Sequence, residues 1–122
     1  MQDDRTGAKA ALQERVAKLG LQFLQRTLGE LVTLRECLEA CVAGDTAAVA
    51  RLEQMAHKIH GTGTTFGFEG ISRWAADLER LAKAGLPDPS GNSATLEKLT
   101  ATLRGLTDEV ERTARAHSSR TR

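Results

Sequence analysis

Apolar residues spaced three and four positions apart recur through most of the chain, and that spacing constrains the fold more than any other feature. One set is Leu24, Leu28, Leu31, Leu34 or Arg35, Leu38 and Val42, and a second is Val49, Leu52, Ala56, Ile59, Gly63 and Phe66. A third is Ile71, Trp74, Ala75, Leu78 and Leu81, and a fourth is Leu96, Leu99, Leu103, Leu106 and Val110. At about 100° per residue each set forms a seam along one side of an α-helix. Strand signals do not compete with it: there is no tyrosine, the aromatics are three Phe and one Trp, and no period-two alternation is sustained. The chain reads as all-α.

Punctuation between the seams sets the helix limits. A first, short helix is expected from about Thr6 to Leu19, with Leu12, Val16 and Leu19 on its buried side and Gly20 ending or bending it. A second runs from about Leu21 to Val42, with Gly44 as a C-cap and Asp45 or Thr46 as the next N-cap. The third covers about Ala47 to Phe66 and is closed by Gly67, and the fourth covers about Glu69 to Ala84 and stops at Gly85. Leu86 to Ser93, with two prolines and a glycine, is the clearest loop, and a last helix follows from about Ala94 to Ala116. Four long amphipathic helices joined in this way describe an antiparallel up-down four-helix bundle with an additional short N-terminal helix. One domain spanning 1–122 fits the length, and the polar ends, 1–5 and 117–122, are expected to be disordered.

Bulk properties exclude several functions. Seventeen basic residues stand against 16 acidic ones, so net charge gives no support to nucleic-acid binding. No apolar run approaches the roughly 20 residues of a membrane span, and the opening MQDDRTGAK lacks the apolar core of a signal peptide. Cys37 and Cys41 fall four apart on one predicted helix, where side-chain directions strain a disulfide. Two free thiols fit a reducing cytoplasm. A monomer is expected, because the seams of the long helices can satisfy one another.

The stretch Met55 to Phe68, MAHKIHGTGTTFGF, holds the candidate site. His57 lies about 140° from the centre of its helix seam and should face water. Gly61, one turn on, faces the same way. Glycine inside a helix costs about 1 kcal/mol relative to alanine, and no core packing calls for it on an exposed face. It removes a side chain beside the imidazole, so that another molecule can come close. Gly63 lies on the seam, where close helix packing explains it. His60 lies at the edge of the seam, about 80° from its centre, and Trp74 is expected in the core.

AHKIHGTGTTFGF followed by ISRWAADLERLA resembles the signature of histidine-containing phosphotransfer (HPt) domains of bacterial multistep phosphorelays. That pattern has an alanine and the phospho-accepting histidine, a basic residue three positions on, glycine at four, a small polar residue at five and a second glycine at ten. Here these fall on Ala56, His57, His60, Gly61, Thr62 and Gly67, with Ile71, Trp74, Leu78 and Glu79 matching the following helix. One departure is the third position, where the usual lysine or arginine is His60. The resemblance implies that His57 accepts a phosphoryl group from a receiver-domain aspartate and passes it to another. It also implies response-regulator receiver domains, and a hybrid histidine kinase, as partners.

Residue chemistry agrees with that role. A free imidazole titrates at about pH 6.5, so at pH 7 it is mostly a neutral nucleophile. Phosphoryl transfer asks for in-line positioning and charge stabilisation, which a partner can share. Lys58 or a protonated His60 is expected to balance the phosphoryl charge, and Glu53, Gln54 and Thr64, with His60 and Gly61, form the expected docking rim. No carboxylates cluster at His57 in the sequence, so Mg2+ is expected on the receiver and no cofactor on this chain. There is no Gly-rich phosphate loop between a strand and a helix, so the chain is expected to relay phosphate and not to act as a kinase. Two rival readings stand beside this one. An interaction-only helical bundle would dock on a signalling protein without carrying phosphate. A zinc site would use Cys37, Cys41, His57 and His60, against which stands the placing of both cysteines inside a long amphipathic helix.

Overall fold

The computed structural model describes residues 2–85 and 93–120, which form four α-helices and, among these residues, no strand. Helix α1 spans Gln2–Val42, α2 Thr46–Thr65, α3 Glu69–Lys83 and α4 Ser93–Arg120. Each helix packs on its neighbours in the chain, and α4 closes the ring against α1. The seams meet inside it. Leu24, Leu31 and Leu34 of α1, Leu52, Ala56 and Ile59 of α2, Ile71, Ala75 and Leu78 of α3, and Leu99, Leu106 and Val110 of α4 are all buried. Among the described residues no helix is long and apolar enough to cross a membrane.

The turns follow the expected chemistry. Gly44 takes φ 97° and Gly67 φ 75°, the left-handed region that glycine enters without steric cost. The amides beyond them reach back to the helices, Asp45 N–H to the Ala40 carbonyl at 2.9 Å and Phe68 N–H to the Gly63 carbonyl at 2.9 Å. Asp45 then caps α2 by accepting from the Ala47 amide at 3.0 Å.

The expected short N-terminal helix and the long second helix are one element. Helix α1 is continuous over 41 residues, about 60 Å at 1.5 Å per residue. Gly20 neither ends nor breaks it. A β-carbon there would stand 3.4 Å from Cζ of Phe68, an ordinary contact, so α1 passes Phe66 and Phe68 at this point, and the helix penalty of one glycine, about 1 kcal/mol, is too small to break the helix. Phe23, one turn on, stacks on both rings with centroids 5.9 Å away in each case.

Three further expectations are corrected. Leu12, Val16 and Leu19 are not buried but 60%, 47% and 46% exposed, as is every side chain from Gly7 to Leu19, because α1 outreaches the helices beside it. Trp74 is 38% exposed and lies against α4 at Gly105. The polar ends are helical over 2–5 and 117–120, and the His117 ring meets Phe68 edge-on at 5.1 Å. Met1, Thr121, Arg122 and residues 86–92 of the expected loop lie outside the described residues.

Candidate functional site

Helix α2 buries Leu52, Ala56, Ile59 and Gly63, and this phase turns His57 outward with 73% of its side chain exposed. Helix α3 is drawn close to the same stretch. At Gly63 an added β-carbon would lie 3.5 Å from the Ser72 backbone nitrogen. The Ser72 hydroxyl donates to the His60 carbonyl at 3.0 Å and lies 2.6 Å from the Thr64 hydroxyl. Two turns beyond Ser72, on the same side of α3, stands Glu79.

Glu79 joins the two histidines. Its Oε2 is 2.7 Å from Nδ1 of His57 and its Oε1 is 3.2 Å from Nδ1 of His60. Burial pushes the Glu79 carboxyl up, but hydrogen bonds from His57 and His60, with the charges of both rings, outweigh it and hold the group below its ordinary value. It is therefore ionised at neutral pH. A carboxylate only accepts hydrogen bonds, so each imidazole donates from Nδ1–H and, when neutral, keeps its lone pair on Nε2. For His57 that nitrogen lies on the far side of an exposed ring. The site thus holds a histidine whose tautomer is set from inside the bundle and whose nucleophilic atom is open.

The other expected site residues are placed unevenly around it. A recess of about 300 Å³ at His57 is lined by Glu53, Gln54, His57, Glu79 and Lys83. Glu53 and Gln54 are therefore beside the imidazole. Gly61 is open: a β-carbon added there meets nothing within 4 Å. Lys58 is exposed and is not among the residues of the recess. Thr64 is exposed, but its hydroxyl donates to the His60 carbonyl at 3.0 Å and meets Ser72. His60 is 40% exposed, in keeping with a place at the edge of the seam.

Sequence reasoning left His57 without clustered carboxylates, and it missed Glu79 and Lys83 as members of the site. Both belong to α3, four residues apart and so on one face of that helix. Their spacing signals a shared face, but not that this face meets His57. Cys37 and Cys41 are free and buried in α1, and burial pushes the Cys41 thiol up. Among the described residues no three His, Cys, Asp or Glu side chains gather to hold a metal ion.

A comparison with protein-family models matches residues 10–116 to the Hpt domain. Searches of curated proteins and of solved structures return no match. An exposed, carboxylate-oriented histidine on a helical bundle and a family match over most of the chain agree: the protein belongs to the Hpt domain family, the histidine-phosphotransfer modules of two-component phosphorelays.

Proposed function

We propose that His57 takes a phosphoryl group on Nε2 from the aspartyl phosphate of one receiver domain and gives it to the aspartate of another. The observation that supports this most is the 2.7 Å contact between His57 Nδ1 and Glu79, on a ring 73% exposed. The Nε2 lone pair attacks phosphorus in line, the N–P bond forms, and the P–O bond to the aspartyl carboxylate breaks. The ring becomes an imidazolium that keeps its Nδ1 proton, and the Glu79 carboxylate offsets the new positive charge. No proton has to leave, and none has to be returned when a second aspartate takes the group. The chemistry is reversible without a base.

Lys83, in the recess with His57, is the cation we assign to the phosphoryl oxygens, in preference to Lys58. The open space at Gly61 admits the receiver, with Glu53, Gln54 and Thr64 on the docking rim and Mg2+ brought by the receiver. The bundle is read as antiparallel, which the facing of Gly70 with Glu109 and of Trp74 with Gly105 supports. We read the protein as a cytoplasmic monomer.

The test is transfer from a phosphorylated receiver domain to wild type and to His57→Gln, followed by intact mass at neutral and acidic pH. An acid-labile phosphoryl mass on wild type, with His57→Gln reduced to a small fraction of it, is the expected result. No transfer to folded wild type from any of several receivers would replace this reading by an interaction-only bundle.

A further inference from the structure

His60 shares the arrangement that prepares His57. Its Nδ1 lies 3.2 Å from the second oxygen of the same carboxylate, so it donates there and keeps its lone pair on Nε2. The ring is 40% exposed, half-open and not sealed in the core. It borders a recess of about 390 Å³ lined by His60, Ala76, Glu79, Arg80, Lys83 and Ala84.

Charge distinguishes the two recesses. The one at His57 holds two carboxylates, Glu53 and Glu79, and one ammonium, Lys83. The one at His60 holds one carboxylate, Glu79, and two cations, Arg80 and Lys83. A phosphoryl group brings about two negative charges, and Arg and Lys are the side chains that hold phosphate oxygens. Arg80 is only loosely engaged, 3.7 Å from the Asp77 carboxylate. Among the described residues no hydrogen bond or ion pair holds Lys83. Space, nucleophile and balancing charge are all present at the second histidine.

We propose that His60 is a second phosphoryl acceptor, modified on Nε2, with Arg80 and Lys83 holding the phosphoryl oxygens. This inference rests on the phosphorelay reading and adds a second acceptor to the same site. In the step, Nε2 of His60 forms the N–P bond while the donor's bond to phosphorus breaks, and the leaving group departs with its electron pair. The ring keeps its Nδ1 proton against Glu79. One carboxylate balances one imidazolium, so His57 and His60 are occupied one at a time. His60 is the less exposed of the two and the slower to fill, but its group is the better held.

The experiment treats wild type, His57→Gln, His60→Gln, the double variant and His57→Gln with Arg80→Gln and Lys83→Gln. Donors are phosphoramidate, a small molecule that needs no docking surface and leaves ammonia, and a phosphorylated receiver domain. Intact mass counts phosphoryl groups, and fragmentation of the modified peptide locates them. His117, the third histidine of the chain, gives the level of modification outside this site. The proposal expects one acid-labile phosphoryl group on His57→Gln, at His60 and above the level at His117. It expects loss of that group in the double variant and in the Arg80, Lys83 variant, and no doubly modified wild type.

Phosphate on His57→Gln with phosphoramidate alone would assign His60 to small donors, and with both donors to the relay as well. Either supports the proposal. No His60 modification with either donor, or modification no greater than at His117, would overturn it while leaving transfer to wild-type His57 intact. Wild type that takes no phosphoryl group from receivers or phosphoramidate would overturn the relay reading and this inference together. Circular dichroism of each variant confirms the fold, which exposed and half-exposed positions are expected to retain.

Discussion

Glu79 and His57 lie 22 residues apart in the chain and 2.7 Å apart in space, carboxylate oxygen to Nδ1. The contact crosses from α3 to α2 and leaves Nε2 as the only basic nitrogen of that ring. Glu79→Gln keeps the shape but removes the charge that offsets the phosphorylated ring. Phosphorylation of His57 by phosphoramidate should slow by roughly tenfold to a hundredfold, the worth of a hydrogen bond to a charged group. Rates from intact mass, with circular dichroism as a fold control, decide it. An unchanged rate would remove Glu79 from the chemistry.

The same carboxylate links stability to pH. Its folded value lies below the ordinary one, so the unfolded chain takes up a proton first as pH falls. Its stabilising contribution is therefore present above about pH 4.3, the ordinary glutamate value, and is lost as pH drops through the folded value. Urea unfolding of wild type and Glu79→Gln should show a stability gap at pH 6 to 7, on the order of 1 kcal/mol, that narrows as pH falls below about 4.3. A gap that widens on acidification would contradict the sign.

Gly61 separates folding from docking. Since a β-carbon there meets nothing within 4 Å, Gly61→Ala should stabilise the helix by up to about 1 kcal/mol. Gly61→Leu should leave the phosphoramidate reaction near wild type while reducing transfer from a receiver. Thermal melts and the two donor assays test both halves. Equal loss with both donors would mean that the glycine serves the imidazole itself.

Trp74 reports on one contact between α3 and α4. A β-carbon on Gly105 would come within 2.5 Å of the indole, so Gly105→Ala must displace the ring. Destabilisation of about 1–3 kcal/mol is expected. The emission of the single tryptophan should shift to the red as the indole moves into water.

The apolar stripe on the first part of α1 makes a contrast with the core. Leu12→Gln and Val16→Gln should change stability by no more than about 0.5 kcal/mol. Leu24→Ala, at 0% exposure, should cost about 2–5 kcal/mol. Denaturant midpoints of the three variants measure the difference. A large loss at Leu12 would place it in a contact that a single chain does not make.

Much of the bundle was legible because its seams are regular. The phase that buries Leu52, Ala56 and Ile59 also turns His57 out, and one periodicity carries both facts. Gly44 and Gly67 mark turns because few other residues accept their φ. What periodicity does not encode is length beyond the core: Leu12, Val16 and Leu19 continue a helical stripe, but a stripe does not say whether a neighbour reaches it. Gly20 could end or bend the helix by propensity, but a penalty of about 1 kcal/mol does not break a helix whose next turn stacks Phe23 on Phe66 and Phe68. Glu79 was invisible as a site residue for a related reason. It lies beside the apolar seam of α3 and not in it, and its meeting with His57 depends on how α3 packs against α2.

The position of His57 halfway along a rigid helix has a kinetic consequence for the proposed relay. One exposed ring, reached from one side, offers one landing place, so the phosphate donor and the phosphate acceptor compete for it and cannot form a ternary complex. Transfer then follows ping-pong kinetics, and an excess of either partner, charged or spent, inhibits traffic to the other. Throughput is set by how quickly each partner lets go, and weak, short-lived encounters serve such a carrier better than tight ones.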